Sequence, residues 1–302
     1  MKTKYLVSIV GPTAIGKTAL SIKLAQHYNT EIISADSRQF YKEMKIGTAA
    51  PSKAELEAAK HHFVHHKSIE DNYNVGSFEK EGLQKINELF KQHNIVIMVG
   101  GSGLYVDAVT NGLDIFPDID SSIRESLNND LKNKGLSYLQ NKLKDLDEVA
   151  FKTIAIDNPH RVIRALEISI GTRKPYSSFL NQGKTKRHFK TFTIGLTANR
   201  ETIYERINRR VDIMLEDGLL DEVKTLYKFK NLNALNTVGY KEIFNYLDNT
   251  WDLDFAVSEI KKNTRRFAKR QLTWFKRNKE TFWFDYLTPE DVIINKIEDE
   301  FV

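Results

Sequence analysis

The chain has 302 residues and a formal net charge of +5. That is enough to bury a sizeable core in one large domain or two modest ones, and such mild basicity permits a polyanionic partner without requiring one. The absence of cysteine excludes a disulfide framework, thiolate zinc sites and thiol nucleophiles, so any chemistry falls to oxygen and nitrogen groups.

The amino terminus carries Lys2 and Lys4 but passes directly into a short apolar run, without the longer apolar stretch and cleavage site of a signal peptide. No stretch approaches the roughly 20 apolar residues that span a bilayer. The expectation is a cytoplasmic chain with no membrane partner, acting as a monomer. Tyr5 to Val10 reads as a strand, and the glycine loop after it leads into a helical pattern from Thr18 to His27. Glu31 to Ser34 and Ile95 to Val99 are further strands, the second following a helical pattern from Phe78 to Phe90. Strands alternating with helices predict an α/β fold with a parallel sheet.

Between those strands His61, His62, His65 and His66 form two i,i+4 pairs, the spacing of a helical metal site. No acid–base partner marks them, and a helical turn is the better reading. From about Pro117 to Lys190 the chain is charged, asparagine-rich and helix-periodic, with Leu127, Leu131, Leu139, Leu143 and Leu146 at inward positions. We read residues 118–190 as a helical insertion into a core made of 1–117 and 191–302. Phe192 to Leu196 resembles a returning core strand, and Arg200 to Phe229 and Leu253 to Lys276 read as long helices.

Gly11, Pro12, Thr13, Ala14, Ile15, Gly16, Lys17 and Thr18 match the nucleotide- and ATP-binding pattern G-x-x-x-x-G-K-[ST], between a strand and a helix as that pattern requires. Glycines let the backbone wrap closely around an anion, and the following helix presents the positive end of its dipole. Lys17 adds a full charge, Thr18 a hydroxyl for a magnesium ion, and Thr13 a further hydrogen bond. The loop indicates a diphosphate rather than ATP itself. Nucleotide hydrolases commonly end a second strand on an aspartate that helps hold magnesium, whereas Ile95 to Val99 ends in Gly100-Gly101-Ser102.

Asp36 follows the second strand, at the carboxyl end where open parallel sheets bind ligands. It reads as a general base or acceptor for an attacking nucleophile, or else as a helix N-cap or magnesium-shell carboxylate. Lys261 to Lys279 holds nine basic residues, Lys269 and Arg270 among them, and no acid, which suits RNA phosphates. Phe267, Trp274 and Phe275 are interleaved there to pack inward or to stack on an unpaired base, packing being favoured. Arg161 and Arg164, one turn apart, form a second phosphate-facing or ion-paired couple.

The ordered series Gly11 to Thr18, Asp36 to Tyr41, Ile46-Gly47-Thr48-Ala49, Val99 to Tyr105, Asn158 to Arg161 through Arg164 to Glu167, Arg206 to Val211, Val238-Gly239-Tyr240 and Lys269 to Trp274 resembles the tRNA dimethylallyltransferases, or isopentenyl-diphosphate:tRNA transferases. The resemblance implies a P-loop NTPase-like core with a helical insertion. It implies transfer of a dimethylallyl group from dimethylallyl diphosphate to the exocyclic N6 amine of the adenine 3′ of the anticodon, with magnesium (Mg2+) as cofactor. The acceptor is then the anticodon stem-loop of tRNA. It assigns Arg210 to catalysis together with Asp36 and Lys17; helical arginines more often form solvated or paired faces, and of this group Arg206 and Arg209 are the expected surface members. It carries over Asp36, Ser37, Arg38, Gln39, Ser102, Arg124, His160, Arg161, Val162, Ile163, Arg164, Val238, Gly239 and Tyr240 as tRNA-binding positions, alongside Lys269 and Arg270. Two rivals stay open: a P-loop small-molecule kinase, with Asp36 deprotonating a hydroxyl, and an adenylate prenyltransferase acting on free nucleotide.

Overall fold

Tyr5–Val10, apolar at all positions but Ser8, is buried throughout and forms the central strand β1. The computed structural model describes residues 3–182 and 186–301, so the Lys2 reading falls outside the described residues. After β1 come helix α1 (Lys17–His27), strand β2 (Ile32–Ser34), helix α2 (Lys53–Ala58), strand β3 (His61–His62), helix α3 (Val75–Leu89), strand β4 (Ile95–Val99) and helix α4 (Gly103–Asn111). Helices α5 (Ser121–Lys134), α6 (Leu136–Leu146), α7 (Glu148–Thr153) and α8 (Pro159–Thr172) lead to strand β5 (Lys190–Thr197). Helices α9 (Arg200–Glu216), α10 (Leu219–Leu226), α11 (Tyr240–Leu247) and α12 (Leu253–Phe275), strand β6 (Phe282–Asp285) and helix α13 (Glu290–Asp299) complete the chain.

The six strands form one sheet in the order β3-β2-β4-β1-β5-β6, and every pairing among the described residues is parallel. This is the expected α/β class with a P-loop NTPase-like core. Alternation splits each central strand between two cores. Val7 and Ile9 of β1 join Ile97 and Val99 of β4 on one face, while Leu6 and Val10 join Val96 and Met98 on the other. A third cluster packs α9, α10, α11 and the start of α12 around Tyr41, Met44 and Tyr240.

The chain divides into two compact units, one of Met1–Thr110 with Arg187–Val302 and the other Asn111–Lys186. The second unit has its own core of Leu127, Leu139, Leu143, Val162, Ile163 and Leu166, with Leu131 packed against it. Leu146, expected inward, is 45% exposed at the last residue of α6, where the chain leaves the helix for the Asp147 cap of α7.

Two further expectations need correction. The histidine stretch is no helical turn: His61 and His62 pair with Ile32 and Ile33 as an edge strand, and Phe63 and His65 adopt positive φ values of 65° and 50°, which interrupts any helix. The predicted helix from Arg200 to Phe229 breaks at Gly218, whose φ of 96° separates α9 from α10. Strand β6 escaped notice in the sequence. No helix among the described residues is long and apolar enough to cross a membrane.

Candidate active site

The loop between β1 and α1 is held open by its own backbone, by Lys17 and by three distant side chains. Gly11 has φ of 143°, and a Cβ there would lie 2.5 Å from the Leu196 carbonyl oxygen, so a side chain is excluded. Gly16, at φ of 108°, is the N-cap of α1 and offers no side-chain cap, which leaves the first amides of an 11-residue helix open to an anion. Lys17 Nζ donates to the Pro12 carbonyl at 2.7 Å. Arg206 Nε donates to the Ala14 carbonyl at 2.7 Å, Arg210 Nη1 to Thr13 Oγ1 at 3.4 Å, and the Thr13 N–H donates to Gln271 Oε1 at 2.8 Å. Arg206, expected at the surface, is thus half-buried with its guanidinium over the Tyr286 ring, because it holds the loop. Arg209 is exposed as expected.

Asp36 lies just past β2, where the Ala35 N–H donates to the Val99 carbonyl at 2.7 Å. Gly100 is required there, since a Cβ would stand 2.4 Å from the Ala35 carbonyl oxygen. Asp36 Oδ1 accepts the Arg38 N–H at 3.2 Å, and no helix follows for it to cap. Ser102 Oγ accepts the Ser37 N–H at 3.0 Å, Gln39 donates to the Thr48 and Ala49 carbonyls, and Arg38 donates to the carbonyls of Asn233 and Ala234. The residues after Asp36 are therefore committed to internal bonds.

Thr13 to Thr18, Asp36, Gly101 and Arg210 line one cavity of about 340 Å³. Burial lowers the Lys17 ammonium to about 8, opposed by the Asp36 charge and reinforced by Arg210. Burial raises the Asp36 carboxyl, against the Arg38 amide and the Lys17, Arg38 and Arg210 charges. Burial, with Arg206 nearby, lowers the Arg210 guanidinium. Two cations and a carboxylate whose basicity exceeds that of an ordinary aspartate thus share a desolvated space. Chemically, such an arrangement is suited to an anion and to accepting a proton.

Thr18 lines the same cavity, as does Glu55. Among the described residues no group of three or more His, Asp or Glu side chains could hold a metal ion. Surroundings with hard oxygens and few protein ligands fit magnesium, which keeps its waters and takes oxygens from a phosphate.

Beyond the loop, Glu222 of α10 accepts the N–H groups of Lys45, Ile46 and Gly47, each at 2.9 Å, and the Tyr240 hydroxyl at 2.7 Å. The Tyr240 ring lies where a Gly47 side chain would be. The side chain of Tyr240, carried over as a tRNA-binding position, is fully buried, and burial beside Glu222 raises its hydroxyl pKa. Gly239, at φ of 97°, is buried too and donates to Glu242, while Val238 is half-buried against the same cluster.

In the second unit Arg124 makes two bonds to Glu167, at 3.0 and 3.1 Å, and Arg164 a third at 2.7 Å. Burial alone would raise the Glu167 carboxyl, but these two arginines hold it below the ordinary range. His160 and Arg161 are exposed at the start of α8. Val162 and Ile163 are core residues, so their side chains are not available to RNA.

The basic helix α12 is less uniform than its sequence. Lys261 pairs with Asp212 of α9, Lys262 with Glu259, and Arg265 donates to Asn208. Lys269 and Arg270 are exposed. Phe275 is buried, Trp274 is half-buried with Nε1 donating to Asp107 at 2.9 Å, and Arg277 covers its ring at 3.8 Å. Packing prevails for these two aromatics, whereas Phe267 stays 38% exposed.

Gln271, Arg206 and Glu222 are site-shaping residues to which sequence reasoning gave no role. A signal existed for the first: Ala268, Gln271 and Phe275 are buried at i, i+3 and i+7, so an amide stands in the inward stripe of a basic helix.

A family model described as IPP transferase matches residues 39–278. The tRNA dimethylallyltransferase of Christiangramia forsetii is 59% identical over 298 residues, 99% of each chain. That of Flavobacterium johnsoniae is 58% identical over 300 residues, 97% of each. Among solved structures, the tRNA isopentenylpyrophosphate transferase of Bacillus halodurans superposes with a TM-score of 0.72 at 38% identity, covering 99% of this chain and 95% of that one. A eukaryotic dimethylallyltransferase acting on tRNA gives 0.79 at 28% identity, covering 95% and 75%.

Proposed function

The chain belongs to the IPP transferase family, and we propose from that premise that it moves the dimethylallyl group of dimethylallyl diphosphate onto N6 of the adenine 3′ of the anticodon in tRNA, releasing diphosphate. It is an enzyme, a prenyltransferase that modifies tRNA. The observation that carries the donor and the chemistry is the shared cavity: an anion loop, Lys17 and Arg210 face a carboxylate made more basic by burial. The kinase and free-nucleotide readings find no support among the full-length relatives.

In the transfer, the C1–O bond of the allylic diphosphate breaks and its electron pair leaves with the diphosphate. The N6 lone pair forms the new C–N bond, and the proton displaced from nitrogen passes to Asp36. Positive charge builds on the prenyl carbon while negative charge builds on the leaving group, so fixed cations there stabilise the transition state more than the ground state. Lys17, Arg210 and the open amides of α1 take that part. Thr18 would hold magnesium, which supplies further neutralisation of the diphosphate when bound. The adenine must unstack to reach Asp36, which costs less in a loop than in a duplex. Lys269, Arg270 and, in the second unit, Arg161 give phosphate contacts that orient the RNA.

The same reading has the enzyme act as a monomer in the cytoplasm. Labelled dimethylallyl diphosphate supplied with either tRNA or AMP tests the proposal: label should appear in tRNA alone. Label in AMP at an equal rate, or acceptor-dependent ATP hydrolysis without prenyl transfer, would overturn it.

A further inference from the structure

Helix α12 exposes Arg266, Lys269 and Arg270, yet Gln271 on the same helix faces inward and is 5% exposed. Its Oε1 accepts the Thr13 N–H at 2.8 Å and its Nε2 donates to the Gly101 carbonyl at 2.9 Å. A neutral amide combines one acceptor and one donor on a rigid plane, which neither a carboxylate nor an ammonium can do. Both partners are main-chain groups, and they belong to opposite halves of the site. Thr13 is part of the anion loop. Gly101 borders the base: Asp36 Oδ2 stands 3.4 Å from where a Gly101 Cβ would begin, and the adjacent Ser102 takes the Ser37 N–H.

We propose that Gln271 is a positioning residue for the transfer, a strut that sets the separation between the diphosphate loop and Asp36 and so aligns the allylic carbon with the attacking amine. The inference rests on the prenyl-transfer reading above. Gln271 contributes no charge to the cavity and loses none when replaced. Its removal leaves the Thr13 N–H and the Gly101 carbonyl without their partner, and the two segments relax independently. Each half of the site still binds its own substrate, but the two substrates no longer meet in register. A misplacement of about 1 Å between reacting groups costs on the order of 10²-fold in rate.

The test compares the full chain with Gln271→Met, which keeps length but makes neither bond, and Gln271→Glu, which keeps the acceptor but loses the donor unless protonated. In Gln271→Met, kcat should fall about 10- to 100-fold, while the Kd for dimethylallyl diphosphate and the Kd for tRNA, each measured alone, stay at the wild-type values. In Gln271→Glu the protonated carboxyl can donate to Gly101 again, so the rate ratio of Gln271→Glu to Gln271→Met should rise as pH falls. Taking the ratio at each pH cancels the titration of Asp36, and if the Met variant folds poorly the wild type measured at the same pH serves as the reference. A folded Gln271→Met with wild-type kcat would overturn the strut, as would a loss of tRNA affinity matching the loss of rate, or a ratio flat with pH. A wild-type chain that transfers no label to tRNA would instead overturn the prenyl-transfer reading and the strut with it, so the two failures are told apart.

Discussion

The phosphate loop and the outer face of α12 both offer cations to phosphate, but they do so in opposite states of solvation. Lys17 and Arg210 are desolvated and share their space with Asp36, and Lys17 sits at the end of a loop that Gly11, Arg206 and Gln271 hold in place. Lys269 and Arg270 stand in water on a regular helix. A buried charge acts at full strength because little solvent screens it, and its location is fixed before the substrate arrives. An exposed charge acts through counterion release, one small and interchangeable contribution among several. Losses at the loop should therefore be large and specific to turnover, and losses on the helix small and dependent on salt.

Lys17→Ala is the hardest test of that contrast. We expect a loss of about 10²- to 10³-fold in kcat with tRNA affinity unchanged, measured by single-turnover transfer beside equilibrium binding. A loss confined to KM would place Lys17 in uniform binding and remove the contrast. Asp36→Asn should lower turnover by about 10²-fold, the lower end for a positioned general base, again without weakening tRNA binding. A folded Asp36→Asn protein with normal turnover would make Asp36 a structural residue.

Desolvation also predicts a pH profile. The free enzyme needs Lys17 protonated, so kcat/KM for the donor should fall above pH of about 8, by about tenfold per pH unit. It needs Asp36 deprotonated, so an acid limb should appear above the ordinary aspartate range. Lys17→Arg, which does not titrate there, should erase the alkaline limb and leave the acid one. An alkaline limb that survives in Lys17→Arg would assign it to another group. The smallest effect belongs to Lys269→Ala with Arg270→Ala. Plots of log affinity for tRNA against log salt should flatten by about 0.7 to 0.9 for each phosphate that the protein no longer neutralises, with donor binding untouched. An unchanged slope with a lowered melting temperature would make these residues part of the helix packing instead.

The sequence made the loop and the four inner strands legible because each is a local pattern: Gly11 to Thr18 is contiguous, β4 is an uninterrupted apolar run, and β1 is apolar at all positions but Ser8. It exposed Asp36 through its place after β2. It hid what depends on distant partners. Thr13 meets Gln271 across 258 positions and Ala14 meets Arg206 across 192, and no local pattern announces such a bond. Strand β6 has four residues and exists because β5 lies beside it. The histidine stretch misled because i,i+4 spacing carries no information about φ, and positive φ at Phe63 and His65 undoes the helix that spacing assumes. Tyr240 belongs to a matching motif, yet its hydroxyl is spent on a bond to Glu222, a partner that the motif itself does not contain.

The place of β1 in the sheet also governs the order in which a ribosome can finish this protein. Tyr5 pairs with Ile95 of β4 on one side and with Lys190 of β5 on the other, and the entire second unit is synthesised between those two partners. At roughly 5–20 residues per second, the nascent chain carries a half-made sheet for several seconds with one side of its central strand unpaired. An open strand of that kind pairs readily with neighbouring chains. Codon substitutions that slow translation between residues 111 and 189 would prolong this exposure without altering a single amino acid of the finished enzyme.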